Sequence, residues 1–305
     1  MRVFITGGTG LIGSAIIDKL IKKDHHVIAL ARSSASASKL RVAGASPLMG
    51  DITTPQNWIT ALPDIDAVIH AACDFSDQMP RIDANLLDHL IPTLHRMPGT
   101  VRFVYTGGVW SYPETKPGQI ADETVPFASL PDFDWMIAGI NRILGDEKLH
   151  GIIIHPGCVY ATGRHGHIGL FHRAITSGQS DKRITIVGGD DINQPMVHTD
   201  DLADLYYRAL INAKAGSSYI GVAINGVSNK TVAELIAKHF AIAECRFETI
   251  SKQTAMDRLG NWAAGLAHHQ HVSSAKAMRE LGWKPKHLDI DQDIKASAAA
   301  LTGQS

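Results

Sequence analysis

The first half of the chain alternates short apolar runs with longer stretches of helical spacing. Residues 2–6, RVFIT, are too short a run for a helix and meet glycines at once, so they predict a strand. Beyond them Ile12, Ile16, Ile17, Leu20 and Ile21 recur at helical spacing. HVIALA (26–31) predicts a second strand, and a helical stretch, SASASKLRVAG, leads to a third near 47–49. DAVIHAA (66–72), TVRFVYT (100–106) and GIIIH (151–155) predict a fourth, fifth and sixth strand. Helical patterns at roughly 80–97 and 132–148 separate them. Apolar strands alternating with helices predict a parallel sheet covered on both faces.

After Pro156 the alternation loosens. TDDLADLYYRALINA (199–213) predicts a helix capped by Thr199 or Asp200. TVAELIAKHFA predicts another, and SSAKAMRELGW a third that stops at Gly282 with Pro285 beyond. The fold class is therefore α/β, a Rossmann doubly wound parallel sheet with a smaller, mostly helical C-terminal lobe. Residues 1–160 form the dinucleotide-binding part. Residues 161–305 supply the remaining sheet elements and a substrate-binding lobe, interleaved rather than cleanly divided.

Composition narrows the function classes. Hydrophobic residues make up 45% of the 305, enough for a sizeable core. A net charge of −1 and no basic run argue against a nucleic-acid partner and against an anionic membrane surface. No apolar run approaches the ~20 residues of a spanning helix. Cys73, Cys158 and Cys245 are far apart, without CxxC spacing, which suits reduced thiols in the cytoplasm.

The first candidate chemistry is TGGTGLIG, between the first strand and the first helix. Gly7 permits the tight turn, Gly10 lets backbone approach a pyrophosphate, and Gly13 allows close packing of helix on strand. The helix N-terminus then offers N–H groups to the phosphates. An NAD site commonly places a carboxylate about 20 residues past the glycines. Here the second strand runs into Arg32 and Ser33. A guanidinium and a hydroxyl suit a 2′-phosphate, so the expected cofactor is NADP rather than NAD. Arg32 stacking on adenine is the plainer alternative.

TGGTGLIG, GDIT, VIHAAC, VYTGG, HPGCVYATG, VHTDDLAD and LGWKP occur in the order found in extended short-chain dehydrogenases/reductases, and the chain resembles that family along nearly its whole length. The resemblance implies that Gly7, Thr9, Gly10, Leu11, Ile12 and Gly13 hold the pyrophosphate. It implies that Asp51 and Ile52 flank adenine and that Ala71, Ala72 and Cys73 line the ribose path. It places Pro156, Gly157, Cys158 and Val159 along the nicotinamide, and Asn85 as a structural residue of its helix. Dimers built on the helices after the fourth and fifth strands occur in many relatives, so a homodimer is possible here.

The departures concern the chemistry. The family ends its fifth strand with Ser-Ser or Thr-Ser, whereas this chain reads Thr106-Gly107-Gly108. Thr106 is the hydroxyl that remains. The family's catalytic Tyr is tuned from about 10 by a Lys four residues on. Counting back from GIIIHPG puts Phe133 and Ile137 in those places. Residues 113–159 contain no Tyr. Tyr112 to Lys116 matches Tyr-x-x-x-Lys literally, but Pro113 and Pro117 put it in a loop. The candidate catalytic residues are accordingly Thr106 and Tyr112, the latter only if its loop swings over the nicotinamide. Trp110, Trp135, His165, His167 and Met196 are the candidate substrate-pocket residues. His165 and His167 lack a third ligand, so no metal is expected.

Three functions fit. One is an NADP-dependent oxidoreductase of a small carbonyl, alcohol or sugar-like substrate with a non-standard acid site. Another is a catalytically silent NADP-binding sensor or partner-binding protein. The last is a non-redox isomerase or lyase on the same fold.

Overall fold

A computed structural model describes residues 1–73, 76–162 and 169–302. In chain order β1 (Arg2–Thr6), α1 (Leu11–Ile21), β2 (His26–Ala31), α2 (Ser34–Val42) and β3 (Ser46–Met49) form the first half of the fold. β4 (Ala67–His70), α3 (Met79–Leu94), β5 (Val101–Thr106), α4 (Asp134–Leu144) and β6 (Leu149–Pro156) form the second. After β7 (Cys158–Tyr160), α5 (His172–Asp181), β8 (Arg183–Val187) and β9 (Asn193–His198), α6 (Thr199–Asn212) returns the chain to the sheet as β10 (Ser217–Gly221). β11 (Ile224–Ser228), α7 (Asn229–His239), β12 (Arg246–Ile250), α8 (Lys252–Leu259), a 3-10 stretch Asn261–Ala267, α9 (Ala275–Leu281) and α10 (Ile290–Thr302) complete it.

The main sheet has seven parallel strands in the order β10-β6-β5-β4-β1-β2-β3. The order reverses between β1 and β4, and ligands of such sheets bind at the carboxyl ends there. Period-two alternation divides the core. Val3, Ile5, Ile69, Val104, Ile152 and Ile154 pack toward α1 and α6, while Phe4, Val68, Phe103, Tyr105 and Ile153 pack toward α3 and α4. Each fully buried aliphatic side chain contributes roughly 1.5–3 kcal/mol, so both faces hold the sheet. The same alternation sends Tyr105 and Thr106, neighbours at the end of β5, to opposite faces.

The lobe carries two small sheets besides its helices, β11-β9-β7 and β12-β8. Their strands are short, and the helical periodicity around them dominates the pattern. α6 is capped by His198, not by Thr199 or Asp200: its imidazole Nδ1 accepts from the Asp200 N–H at 3.1 Å. Gly282 does end α9 in the left-handed conformation, at φ 63°.

Candidate functional site

The phosphate loop is built for close backbone approach. Gly7 has φ +76°, and a Cβ there would meet the Ala71 carbonyl oxygen at 2.6 Å. A Cβ on Gly13 would collide with the Gly7 carbonyl. Only glycine satisfies both constraints. Gly10 caps α1 without a side-chain bond, and the first turn of α1 carries no acidic residue. Its amide groups thus keep their positive end open, the arrangement a pyrophosphate fits.

From this loop a cavity of about 550 Å³ runs along the carboxyl ends of the strands. Gly10, Leu11 and Ile12 begin it, and Ala71, Ala72, Cys73, Thr106 and Pro156–Val159 continue it. Beyond them stand Trp110, Phe133, Trp135, Met136, Trp262 and Leu266. Gly7, Thr9, Gly13, Arg32, Ser33, Asp51 and Ile52 are not on this wall. Arg32 is exposed at the end of β2. The Ser33 hydroxyl caps α2, accepting from the Ser36 N–H at 3.1 Å. Asp51 forms a turn, its carboxylate accepting from the amide and hydroxyl of Thr53 at 2.9 and 2.8 Å. Ile52 packs on the core.

The two catalytic candidates part company. Thr106 is half-buried on the cavity wall, and its hydroxyl lies 2.7 Å from the hydroxyl of Tyr206 on α6. Burial raises the Tyr206 phenol well above its ordinary value, so it stays protonated. Tyr112 is buried away from the cavity, stacked edge-on to Phe127 and His155 at 5.2 and 5.1 Å. A ring so packed does not swing over a ligand. Burial, then Glu123, raises its phenol as well.

Helix α4 supplies Phe133, its N-cap residue, and Trp135 and Met136 to the wall, whereas Ile137 is half-buried off it. None of these side chains gives or takes a proton. Met196 is fully buried in the core of the lobe and does not reach the cavity, because β9 turns it toward Tyr160 and Phe171. His165 and His167 lie outside the described residues. Gly107 and Gly108 differ in what they leave. A Cβ on Gly107 would meet His155 Nδ1 at 2.7 Å, while one on Gly108 would meet nothing within 4 Å. His155 is fully buried, bonded through Nε2 to Ser218 at 2.8 Å, and burial lowers its pKa to about 4.

A buried polar chain was missed from the sequence. Thr6 bonds His70 Nδ1 at 2.6 Å, His70 Nε2 bonds Asp83 at 2.8 Å, and the Tyr105 hydroxyl donates to Asp83 at 3.1 Å. His70, Asp83 and Tyr105 all border the cavity. Burial, then Asp83, raises the Tyr105 phenol. The signal was present: Asp83 interrupts the apolar face Met79, Leu86, Leu87 and Leu90 of α3. Asn85, two residues on, is only half-buried. Among the described residues His198, Asp200 and His287 come within 4.8 Å of one another. The two imidazoles are stacked, 3.6 Å apart and 18° from parallel. A cation lies in the plane of each imidazole it binds, and no point lies in both planes close to the nitrogens.

The model of the NAD dependent epimerase/dehydratase family matches residues 3–224. The chain belongs to this family. Its helix α4 carries neither a tyrosine nor a lysine. An uncharacterised protein of Schizosaccharomyces pombe is 28% identical over 98% of this chain and 99% of its own length. A UDP-glucose 4-epimerase of Streptococcus mutans is 25% identical over 98% and 96%. Among solved structures, a dTDP-glucose 4,6-dehydratase of Streptomyces venezuelae with NAD superimposes with a TM-score of 0.83 at 16% identity, covering 99% and 97% of the two chains. A human epimerase family protein with NADPH gives 0.77 at 19% identity, covering 98% and 99%. These likenesses in structure concern the fold. Among the described residues no helix is long and apolar enough to cross a membrane.

Proposed function

We propose that this chain is an NADP-dependent oxidoreductase that interconverts a small carbonyl compound and its alcohol. The observation that carries the reading is that the phosphate loop and the Thr106 hydroxyl, backed by the buried Tyr206, meet in one cavity. The nicotinamide, when bound, supplies the hydride. Gly7, Gly10 and Gly13 with the first turn of α1 hold the pyrophosphate, and Pro156–Val159 border the nicotinamide end. Either hydroxyl of this pair can donate; with Tyr206 donating to the Thr106 oxygen, the Thr106 proton is left to bond the substrate oxygen. Thr106 thus orients the carbonyl and hands on a proton from water as the hydride reaches the carbon. Positioning supplies most of the acceleration, because no tuned acid stands beside the reacting oxygen.

Arg32 supports NADP over NAD, being a charged, exposed guanidinium where a carboxylate would repel a 2′-phosphate. A cytoplasmic location and a homodimer through α3 and α4 fit the thiol content and the family habit. No nucleic-acid or membrane partner is called for by the charge balance.

A second reading, a silent NADP-binding protein, is favoured by the carbon wall of α4. One experiment separates them. NADPH is titrated onto the protein and its oxidation is followed with a panel of ketones and aldehydes. The oxidoreductase reading expects turnover that Thr106→Val lowers by roughly 100-fold. Tight NADPH binding with no oxidation across the panel leaves the silent reading. Arg32→Asp is expected to reverse the preference between NADPH and NADH, and an unchanged preference removes the NADP assignment.

A further inference from the structure

We propose that the cavity takes an uncharged carbonyl compound with an aromatic or fused-ring body, not a sugar nucleotide. As a statement about turnover this rests on the oxidoreductase reading, but as a statement about binding it stands alone. The far wall is Trp110, Phe133, Trp135, Met136, Trp262 and Leu266, drawn from the loop after β5, α4 and the Asn261–Ala267 stretch. Trp110 and Phe133 already make a tilted ring pair at 5.1 Å. Such a wall gains from flat apolar surface and from ring-on-ring contact.

It has little to give a sugar. Every buried hydroxyl needs a hydrogen-bond partner to replace water. Most polar side chains on the wall are committed within the protein, while Trp110 Nε1 and Ser111 Oγ have no partner but are buried beneath its surface. Thr106 is bonded to Tyr206, His70 to Thr6 and Asp83, Asp83 also to Tyr105, and Cys158 to Gln194. With Tyr206 as the donor of their shared bond, Thr106 has one proton to offer, enough for one carbonyl oxygen. Gly108 leaves open space beside it, where a ring can lie.

Charge points the same way. A diphosphate is gripped by cations. Among the described residues of the wall, Arg173, on α5, is the one guanidinium or ammonium side chain, a single cation for two phosphates. Past Cys73, Phe133, Trp135 and Trp262, which are common to both, the cavity adjoins a smaller one of about 220 Å³. That side brings Asp77 and Asp132, whose carboxylates repel a diphosphate.

The test uses the full chain saturated with NADPH, with 2-acetonaphthone and UDP-glucose as probes. Quenching of tryptophan fluorescence reads binding, since Trp110, Trp135 and Trp262 line the cavity. The naphthyl ketone is expected to bind at least about tenfold more tightly than UDP-glucose. Trp262→Ala and, separately, Trp135→Ala are each expected to weaken the ketone about tenfold while NADPH affinity stays within twofold. Equal or tighter binding of UDP-glucose overturns the proposal, as does a ketone affinity that neither substitution changes. Binding of the ketone without reduction upholds the proposal and removes the oxidoreductase reading. If NADPH itself does not bind, the same preference is required of the protein alone.

Discussion

The two ends of one cavity have been kept under different constraints. At the phosphate end Gly7 and Gly13 have no room for a Cβ, and α1 presents an N-terminus without a side-chain cap. At the α4 end the wall is Phe133, Trp135 and Met136, none of which can act as a proton donor of the tyrosine kind. A phosphate loop fails if one methyl group is added. A hydrophobic helix face holds the fold whether or not it carries an acid. The scaffold and the phosphate end are therefore sound without the ordinary acid at the other end. The comparison also explains why Thr106 matters. It sits where the two ends meet, on the face of β5 that turns to Tyr206.

The sharpest way to break the comparison is at its tight end. Gly13→Ala drives a Cβ into the Gly7 carbonyl and is expected to weaken NADPH on the order of 100-fold. Isothermal titration measures it, and an unchanged affinity would mean that the loop does not hold the pyrophosphate.

The seam between the two ends gives the next effect. His155 lies beneath Gly107, neutral, with its pKa lowered by burial to about 4. The unfolded chain binds that proton near 6.5, so stability from this residue is complete above 6.5 and is lost as pH falls toward 4. Between pH 7 and 5 the loss is about 2 kcal/mol. His287 works oppositely, because Asp293 raises its pKa. Urea unfolding of the protein and of His155→Asn at both pH values isolates the term. An identical pH dependence in the two would contradict the buried neutral imidazole.

The smallest effect is expected at Tyr112. Tyr112→Phe removes a hydroxyl packed away from the cavity, so turnover should stay within a factor of about two and stability within about 1.5 kcal/mol. A large loss of turnover with intact NADPH binding would return Tyr112 to the acid site and erase the contrast between the ends.

Much of this was legible in the chain. Strands of four to eight apolar residues and a glycine loop five residues from the start fix the sheet and its cofactor end, because those features are local. The emptiness of α4 was legible too, since no tyrosine occurs in residues 113–159. The lobe's strands were not, being short and set among helical patterns. Nor could spacing show that Trp262, some 150 residues after Trp110, stands on the same wall. Met196 read as a pocket residue, but strand alternation turns it into the core. Asp83 was legible as a polar residue on an apolar helix face, though its partners His70 and Tyr105 come from two other strands.

The central claim is that an intact cofactor end serves a cavity whose ordinary acid is gone. It is tested most directly by binding NADPH and following a single turnover with an aryl ketone, comparing the protein with Gly108→Ser. Gly108 is extended, at φ −170°, and its Cβ meets open space, so the serine fits without strain. The account predicts tight NADPH binding in both, slow hydride transfer in the native chain, and transfer about tenfold faster once the serine hydroxyl is added. Failure to bind NADPH, or native transfer as fast as that of the serine variant, would contradict it.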